Sequence, residues 1–420
     1  MEALYDPFDE QSRANPYPHY AALRERAPVY WAERPGAWVV SRYDDVMHVL
    51  KHPDLFSSDA MRTMLMSPMA AGNDDPRLME QMVVLAAALP FELDELIRVR
   101  NLLSIDPPHH ERLRRIVSQG FTSRGIAAWE PRIRQIVEQA LGDMRDKGTF
   151  DLIADLAIPL PVIIISEMLG VEPERRAAFK HWSDVLIAAS SGSKKGLGLV
   201  ESGFVDCFRE FCTYFAEIAE RRKGEPKEDL ISVLVRAQEH DEALKPIDAV
   251  MFALLLLVAG NETTTNLIGN AVNALLDHPE QLELIRNHRS LVPALIEETL
   301  RYDGPVQYVF RRALQDVEIA GTTIPENAIV MPLIGSANRD ESQFDRPDVF
   351  DVTRNPQGHV AFGFGIHFCL GAALARLEAK LALDPLIEDL SCLERTEPKI
   401  EYVDSFLLRG PRRLELRKAV

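Results

Sequence analysis

Apolar residues recur along most of this chain at three- and four-residue intervals, a spacing that predicts a protein built mainly from helices. Segments 17–26, 43–51, 109–118, 131–147, 161–169, 174–188 and 204–222 carry an apolar stripe or interior, as do 227–238, 246–277, 279–287 and 291–302. A run rich in Ala, Leu, Arg, Glu and Lys over 370–383 predicts one more helix. Strand-like composition is confined to short pieces at 29–31, 37–41, 308–312, 317–319, 328–331 and 414–416. The expected fold class is mainly α with a small β region. No Gly/Ser-rich linker, low-complexity boundary or internal repeat divides the chain, so 1–420 reads as one domain.

Composition narrows the function classes. With 420 residues and 46% hydrophobic content, the chain can bury a large core. Segment 246–277 is apolar all round its first half, as a helix through the centre of a large protein should be. Its uninterrupted apolar run, 249–259, is too short to span a bilayer and is closed by Asn261 and Glu262. The residues from Met1 to Pro7 show neither a basic nor an apolar leader region, so the expectation is a cytoplasmic protein without a membrane anchor. A net charge of −17 argues against a nucleic-acid binder, which needs a concentrated basic surface. Cys207, Cys212, Cys369 and Cys392 lack the dense spacing of a disulfide scaffold, which suits a reducing compartment.

Candidate chemistry concentrates in Phe362-Gly363-Phe364-Gly365-Ile366-His367-Phe368-Cys369-Leu370-Gly371. Gly363 and Gly365 let the backbone turn tightly and approach a flat partner closely. Cys369 precedes the helix-forming run, and a helix N-terminus favours an anionic sulfur. A thiolate among Phe362, Phe364 and Phe368 can ligate a metal and push electron density into it. A nucleotide loop is disfavoured because Phe368 stands where its third glycine belongs, and no Cys-x-x-Cys pair completes a zinc site. An inert core cysteine is the plain alternative.

The middle of the long helix reads Ala259-Gly260-Asn261-Glu262-Thr263-Thr264-Thr265, where a glycine, a carboxylate and three β-branched hydroxyl residues make poor helix design. Such local violations often mark function. Glu262 as an internal cap or ion-pair partner, with Thr264 and Thr265 as packing groups, is an equally open reading. Glu298 and Arg301 stand at i and i+3 on one helix face, and His110 and Arg114 at i and i+4 after Asp106-Pro107-Pro108. Between Phe56 and Asp106 fall Met61, Met64, Met66, Met69, Met79 and Met82, half of the 12 methionines, a composition suited to varied apolar shapes. Segment 189–203 has the Ser, Gly and Lys content of a flexible connection.

The decapeptide from Phe362 to Gly371 resembles the haem-ligand signature of the cytochrome P450 family, and the likeness extends from Asp6-Pro7-Phe8 to Leu408-Arg409-Gly410. The resemblance implies the cytochrome P450 fold, with haem b between the long central helix and the cysteine-loop helix. Cys369 would be the axial iron ligand, and Phe362, Gly363 and Gly371 part of the cofactor cradle. Glu262 and Thr263 are similar to the acid–alcohol pair of oxygen-activating members, with a widened helical turn expected at Ala259 and Gly260. His110, Arg114, Arg311 and His367 match the propionate contacts. Glu298 and Arg301 resemble the Glu-x-x-Arg lock of the family, a buried scaffold element. The usual third member of that lock, an arginine, is replaced by Val349, which leaves Arg339, Arg346 and Arg354 as candidates. Leu255, Val258, Ala259, Gln307, Val309, Leu407 and Leu408 fall on pocket-wall elements, Gln307 as a polar handle. Segment 57–105 matches a long Met-rich distal lid, and 189–203 a loop between the helices that open the pocket.

The implied activity is that of a haem-thiolate monooxygenase inserting one atom of O2, by hydroxylation or epoxidation, into a medium-to-large apolar substrate such as a steroid, fatty acid, terpenoid or macrolide-like compound. Reducing equivalents from NAD(P)H would arrive through a ferredoxin, or a similar iron–sulfur or flavin protein, and its reductase. Arg112, Arg115 and Arg376 are candidate docking cations, and the protein is expected to be a monomer. A peroxide-driven peroxygenase and a non-catalytic haem-binding protein are the alternatives, and the Glu262–Thr263 pair argues against both.

Overall fold

The computed structural model describes residues 4–61, 87, 89, 91, 101–190, 203–239 and 245–419. Two compact units emerge. The first comprises Met1–Met61, Ile126–Leu160 and Thr263–Val420, the second Arg62–Gly125 and Pro161–Glu262. Most of the 57–105 segment and nearly all of 189–203, expected as a lid and a flexible loop, lie outside the described residues.

The first unit holds every strand found among the described residues. Val29–Ala32 pairs antiparallel with Ala37–Val40, which runs parallel to Ile329–Pro332; Arg311–Ala313 and Phe56–Ser57 complete the sheet, both antiparallel. Helix Tyr43–Lys51 lays Val46, Val49 and Leu50 into the core formed with Val40, Phe56 and Val330. Asp44 and Asp45 in its first turn and Lys51 in its last complement the helix dipole. The strand expected at 308–312 joins the sheet ladder only from Arg311. Before that point the Gln307 N–H donates to Leu407 O (3.0 Å), in an irregular stretch that buries Tyr308 and Phe310. Thr149–Asp151, Glu415–Lys418 and Leu393–Arg395 form a second, three-stranded sheet. Its three-residue outer strands are too short to show a period in sequence.

Helix Ala372–Leu390 outruns its expected end at 383 and continues through Pro385. It packs against Glu130–Lys147 and Val292–Asp303, with Ala379, Ala382, Leu383 and Ile387 fully buried. Helix Val292–Asp303 carries the Glu298–Arg301 pair, and both side chains are completely buried. The guanidinium forks onto the carboxylate through Nε (2.8 Å) and Nη2 (2.7 Å), while Nη1 donates to Asn338 O (3.1 Å) and Pro347 O (2.7 Å). The third member of the lock is Arg354, whose Nε lies 3.2 Å from Glu298 Oε1; the Asp351 N–H adds a bond of 3.0 Å to the same oxygen. Arg346 instead pairs with its exposed neighbour Asp345. Arg339 is sandwiched between Tyr17 and Tyr302 and pairs with Asp348.

The second unit is helical. Phe204–Gly224 packs on Arg176–Ser190 and Leu230–Glu239, and the last of these on His109–Val117. Phe179, Trp182, Phe211, Tyr214 and Phe215 form an aromatic cluster with tilted and edge-on contacts, the preferred ring geometry. A fully buried Arg222–Asp229 pair (2.7 Å) ties two of its helices, and Asp229 Oδ1 caps Leu230–Glu239 through the Ser232 N–H (2.7 Å). Cys207 and Cys212 lie in this core, where burial pushes both thiols up to about 12, as inert structural cysteines require.

Helix Pro246–Asp277 is long and apolar enough to cross a membrane by length and composition alone, yet Ala249, Val250, Ala253, Leu257, Ile268 and Val272 are buried in protein. It is a core helix. The passage from the second unit to the first falls within it, between Glu262 and Thr263.

Because Glu298 is buried and shared by two guanidiniums, Arg354→Ala should destabilise the protein by about 2–4 kcal/mol in urea unfolding. Arg346→Ala, removing an exposed pair, should change stability by less than about 0.5 kcal/mol.

Candidate functional site

The cysteine loop is closed by its own backbone. The Cys369 N–H donates to Phe362 O (2.8 Å), Gly363 N–H to Val360 O (2.8 Å) and Phe368 N–H to Gly365 O (3.1 Å). Gly363 and Gly365 sit at φ +71° and +69°, the left-handed region that other residues adopt at a cost. Cys369 is half-buried and stands three residues before the first residue of helix Ala372–Leu390, so its sulfur has the helix N-terminus expected of it. Gly371 is the cap residue of that helix. Phe364 and Phe368 are about two-fifths exposed, and Lys51 lies over the Phe364 ring. Phe362 is half-buried, its ring centroid 6.3 Å from that of Phe368 and 4.5 Å from the Arg376 guanidinium.

His367 Nε2 is 2.8 Å from Ser58 Oγ. Arg311 is buried in its strand and donates to Phe310 O (2.8 Å). These two candidates for anion contacts share the first unit. The other two, the buried His110 and the half-buried Arg114, lie on helix His109–Val117 of the second, joined there by Arg112 and the exposed Arg115. Arg376 is not an open docking cation, since it forks onto Glu297 through Nε (2.6 Å) and Nη2 (2.8 Å).

The long helix is α-helical from end to end, so the widened turn expected at Ala259 and Gly260 is absent. Gly260 has another physical role. A Cβ there would stand 2.8 Å from Ile165 Cδ1, and the missing side chain permits close packing on helix Pro159–Met168. Asn261 donates to Ser183 Oγ (3.2 Å). Glu262 is half-buried, and loss of solvation pushes its carboxyl up to about 7. Thr263 is half-buried next to it, Thr264 is buried, and Thr265 donates its hydroxyl to Ala157 O (2.9 Å). Thr265 is therefore a packing residue that ties the helix to its neighbour. A carboxyl missed in the sequence faces the same turn: Glu378, fully buried on helix Ala372–Leu390 and hydrogen-bonded by Thr264, is raised to about 8 by burial. The sole hint in sequence was a glutamate at an apolar position of that helix.

Leu255, Val258 and Ala259 are half-buried on the long helix. Val309, Leu407 and Leu408 are half-buried in the first unit, where Leu408 bridges to Val306. Gln307 does not act as a polar handle. Its amide is buried, donating to Gly304 O (2.8 Å) and accepting from the Tyr20 hydroxyl (3.2 Å), so both ends are engaged by the protein itself.

Residues 202–417 match the family model described as Cytochrome P450. The chain is 39% identical to a Bacillus subtilis protein named putative cytochrome P450 YjiB, over 94% of this chain and 92% of the relative. It is 40% identical to the solved cytochrome P450 CYP109Q5 from Chondromyces apiculatus (TM-score 0.83; 99% and 98% covered). It is 35% identical to CYP109E1 from Bacillus megaterium, solved in complex with testosterone (TM-score 0.81; 97% and 100% covered). The chain belongs to the cytochrome P450 family. Further relatives at 35–37% identity are named as hydroxylases or monooxygenases, and the protein is a cytochrome P450 monooxygenase with the fold that its helices and small sheets display.

The family implies a haem-iron cofactor, and the residues present fit one. Cys369 offers a soft anionic donor at a helix N-terminus, in a loop whose left-handed glycines keep side chains off the backbone beside it. Gly365 could not carry a side chain without crowding Leu50 O at 3.0 Å.

Burial raises the Glu262 and Glu378 carboxyls well above an ordinary glutamate, so between about pH 4.5 and 8 these two groups hold more protons in the folded cytochrome P450 than in the unfolded chain. Their contribution to stability therefore falls as pH rises through that window. Glu378→Gln should flatten the decline: urea unfolding from pH 5 to 9 is expected to show the variant gaining on the parent as pH increases.

Proposed function

We propose that this cytochrome P450 inserts one oxygen atom of O2 into a steroid-like apolar substrate. The observation that carries the reading is the closed cysteine loop, with Cys369 half-buried ahead of the helix N-terminus and pinned to Phe362 O. Cys369 would hold the haem b iron, with Phe362, Gly363 and Gly371 shaping the loop around it. His110, Arg114, Arg311 and His367 supply the cations and hydrogen-bond donors that two propionates need. Bound haem supplies oxygen activation, and the chain supplies positioning and proton control.

Glu262 is suited to that control. A carboxyl raised to about 7 can take a proton from water and release it near neutrality, and Thr263 next to it offers a hydroxyl to pass the proton on. Leu255, Val258, Ala259, Val309, Leu407 and Leu408, the residues proposed to meet the substrate, are all apolar. That chemistry suits a largely hydrocarbon substrate, and the 35% identical CYP109E1, solved with testosterone and with corticosterone, makes steroids the proposed class.

Electrons from NAD(P)H would come through a ferredoxin or a similar iron–sulfur or flavin donor and its reductase. The exposed Phe364 and Phe368 beside the cysteine loop, with Lys51 over one of them, supply an apolar and cationic surface for such a donor. The reading also takes the chain as one cytoplasmic domain, acting as a monomer.

Titration of the ferric protein with steroids should produce a saturable low-to-high-spin shift of the Soret band, with smaller responses to the other classes. Cys369→Ser should abolish the thiolate-type spectrum of the ferrous carbon monoxide complex. Thr263→Ala and Glu262→Gln should keep that spectrum and lower product formed per electron consumed by about 10–100-fold. A spectrum unchanged in Cys369→Ser would refute the ligand assignment.

A further inference from the structure

Adjacent carboxylates on helix Val292–Asp303 serve different partners. Glu298 belongs to the arginine lock, whereas Glu297 turns toward the cysteine loop and its helix. Glu297 takes both arms of the Arg376 guanidinium, at 2.6 and 2.8 Å, and lies 2.9 Å from His359 Nε2. The Ala361 N–H donates to His359 Nδ1 (3.3 Å), which leaves Nε2 as the nitrogen that donates to Glu297. Burial would raise the Glu297 carboxyl, but hydrogen bonds from Arg376 and His359 and the charge of Arg376 outweigh it and hold the group at about 2. The hydrogen bonds to Glu297, and more weakly the Cys369 sulfur, keep Arg376 more firmly protonated than an ordinary arginine.

The cluster grips the loop at its base. Arg376 lies flat against Phe362, whose carbonyl takes the Cys369 N–H, and His359 and Ala361 lead directly into that residue. Arg376 interacts electrostatically with the Cys369 sulfur; a cation acting on a thiolate draws charge from it, and the ionised Glu297 opposes that pull.

We propose that Glu297, Arg376 and His359 form a charge clamp that holds Phe362 in place and, by balancing Arg376 against Glu297, sets the electrostatic field at Cys369. These are positioning residues: they act on the iron through the cysteine. The inference rests on Cys369 being the iron ligand. Removing the carboxylate charge leaves an uncompensated cation, which favours the ferrous state. Removing the guanidinium leaves an uncompensated anion, which favours the ferric state. The double change restores neutrality.

The test is a spectroelectrochemical titration of the ferric/ferrous couple in the haem-loaded protein, comparing parent, Glu297→Gln, Arg376→Gln, Arg376→Lys and the Glu297→Gln/Arg376→Gln double variant. The potential should rise in Glu297→Gln, fall in Arg376→Gln, and return toward the parent in the double variant. Arg376→Lys, which keeps charge and loses the fork, should sit nearer the parent than Arg376→Gln. A merely structural prop predicts shifts of one sign, growing in the double variant, and that result, or no shift in any variant, overturns the clamp. If one single variant fails to load haem, the lysine and double variants decide between the same outcomes. A parent protein lacking the thiolate-type ferrous carbon monoxide spectrum would instead overturn the assignment of Cys369 itself.

Discussion

A buried carboxylate that must never lose its cations organises the first unit. Glu298 has no access to water, so its charge is tolerable only while Arg301 forks onto it and Arg354 approaches from the chain near Asp351. Arg301 spends its remaining donors on the carbonyls of Asn338, Pro347 and Val349, which binds the irregular 338–351 stretch to the helix. From that stretch the Asn338 side chain accepts the Val360 N–H (2.7 Å), two residues before the cysteine loop begins. Packing alone would hold these segments with little directional preference. The shared charge fixes their geometry.

The same helix then reaches the loop directly through Glu297. Two neighbouring glutamates thus anchor two segments to one helix, and Cys369 lies in chain order between His359 and Arg376, the two partners of Glu297, with a helix N-terminus behind it. Rigid support of this kind is what a ligating sulfur needs, because its orientation is set by groups that do not themselves touch the metal. The long helix contributes in a different way. Its glycine allows close packing on Ile165, its Thr265 ties it to Ala157, and its two raised carboxyl neighbours, Glu262 and Glu378, sit where loss of water makes the proton hard to remove.

Two residues carried a misleading local signal. Gln307 read as a handle for ligand, but Tyr20, brought from far along the chain, and the nearby Gly304 carbonyl consume its amide. Gly260 read as the site of a distorted turn, whereas the helix stays regular and the glycine accommodates a neighbouring isoleucine.

The amino-acid sequence by itself determined what depends on short-range physics. Periodic helices such as 17–26, 43–51, 246–277 and 279–287 were legible to the residue, and so was the decapeptide around Cys369, because helix period and glycine conformation act within a few residues. The short strands Thr149–Asp151 and Leu393–Arg395 were not, since their stability comes from Glu415–Lys418, a partner distant along the chain. The choice of Arg354 among three arginines, the grip of His359 and Arg376 on Glu297, and the burial of Glu378 were decided only in the tertiary structure. Charge and burial depend on which distant groups share a space, and no local pattern encodes that.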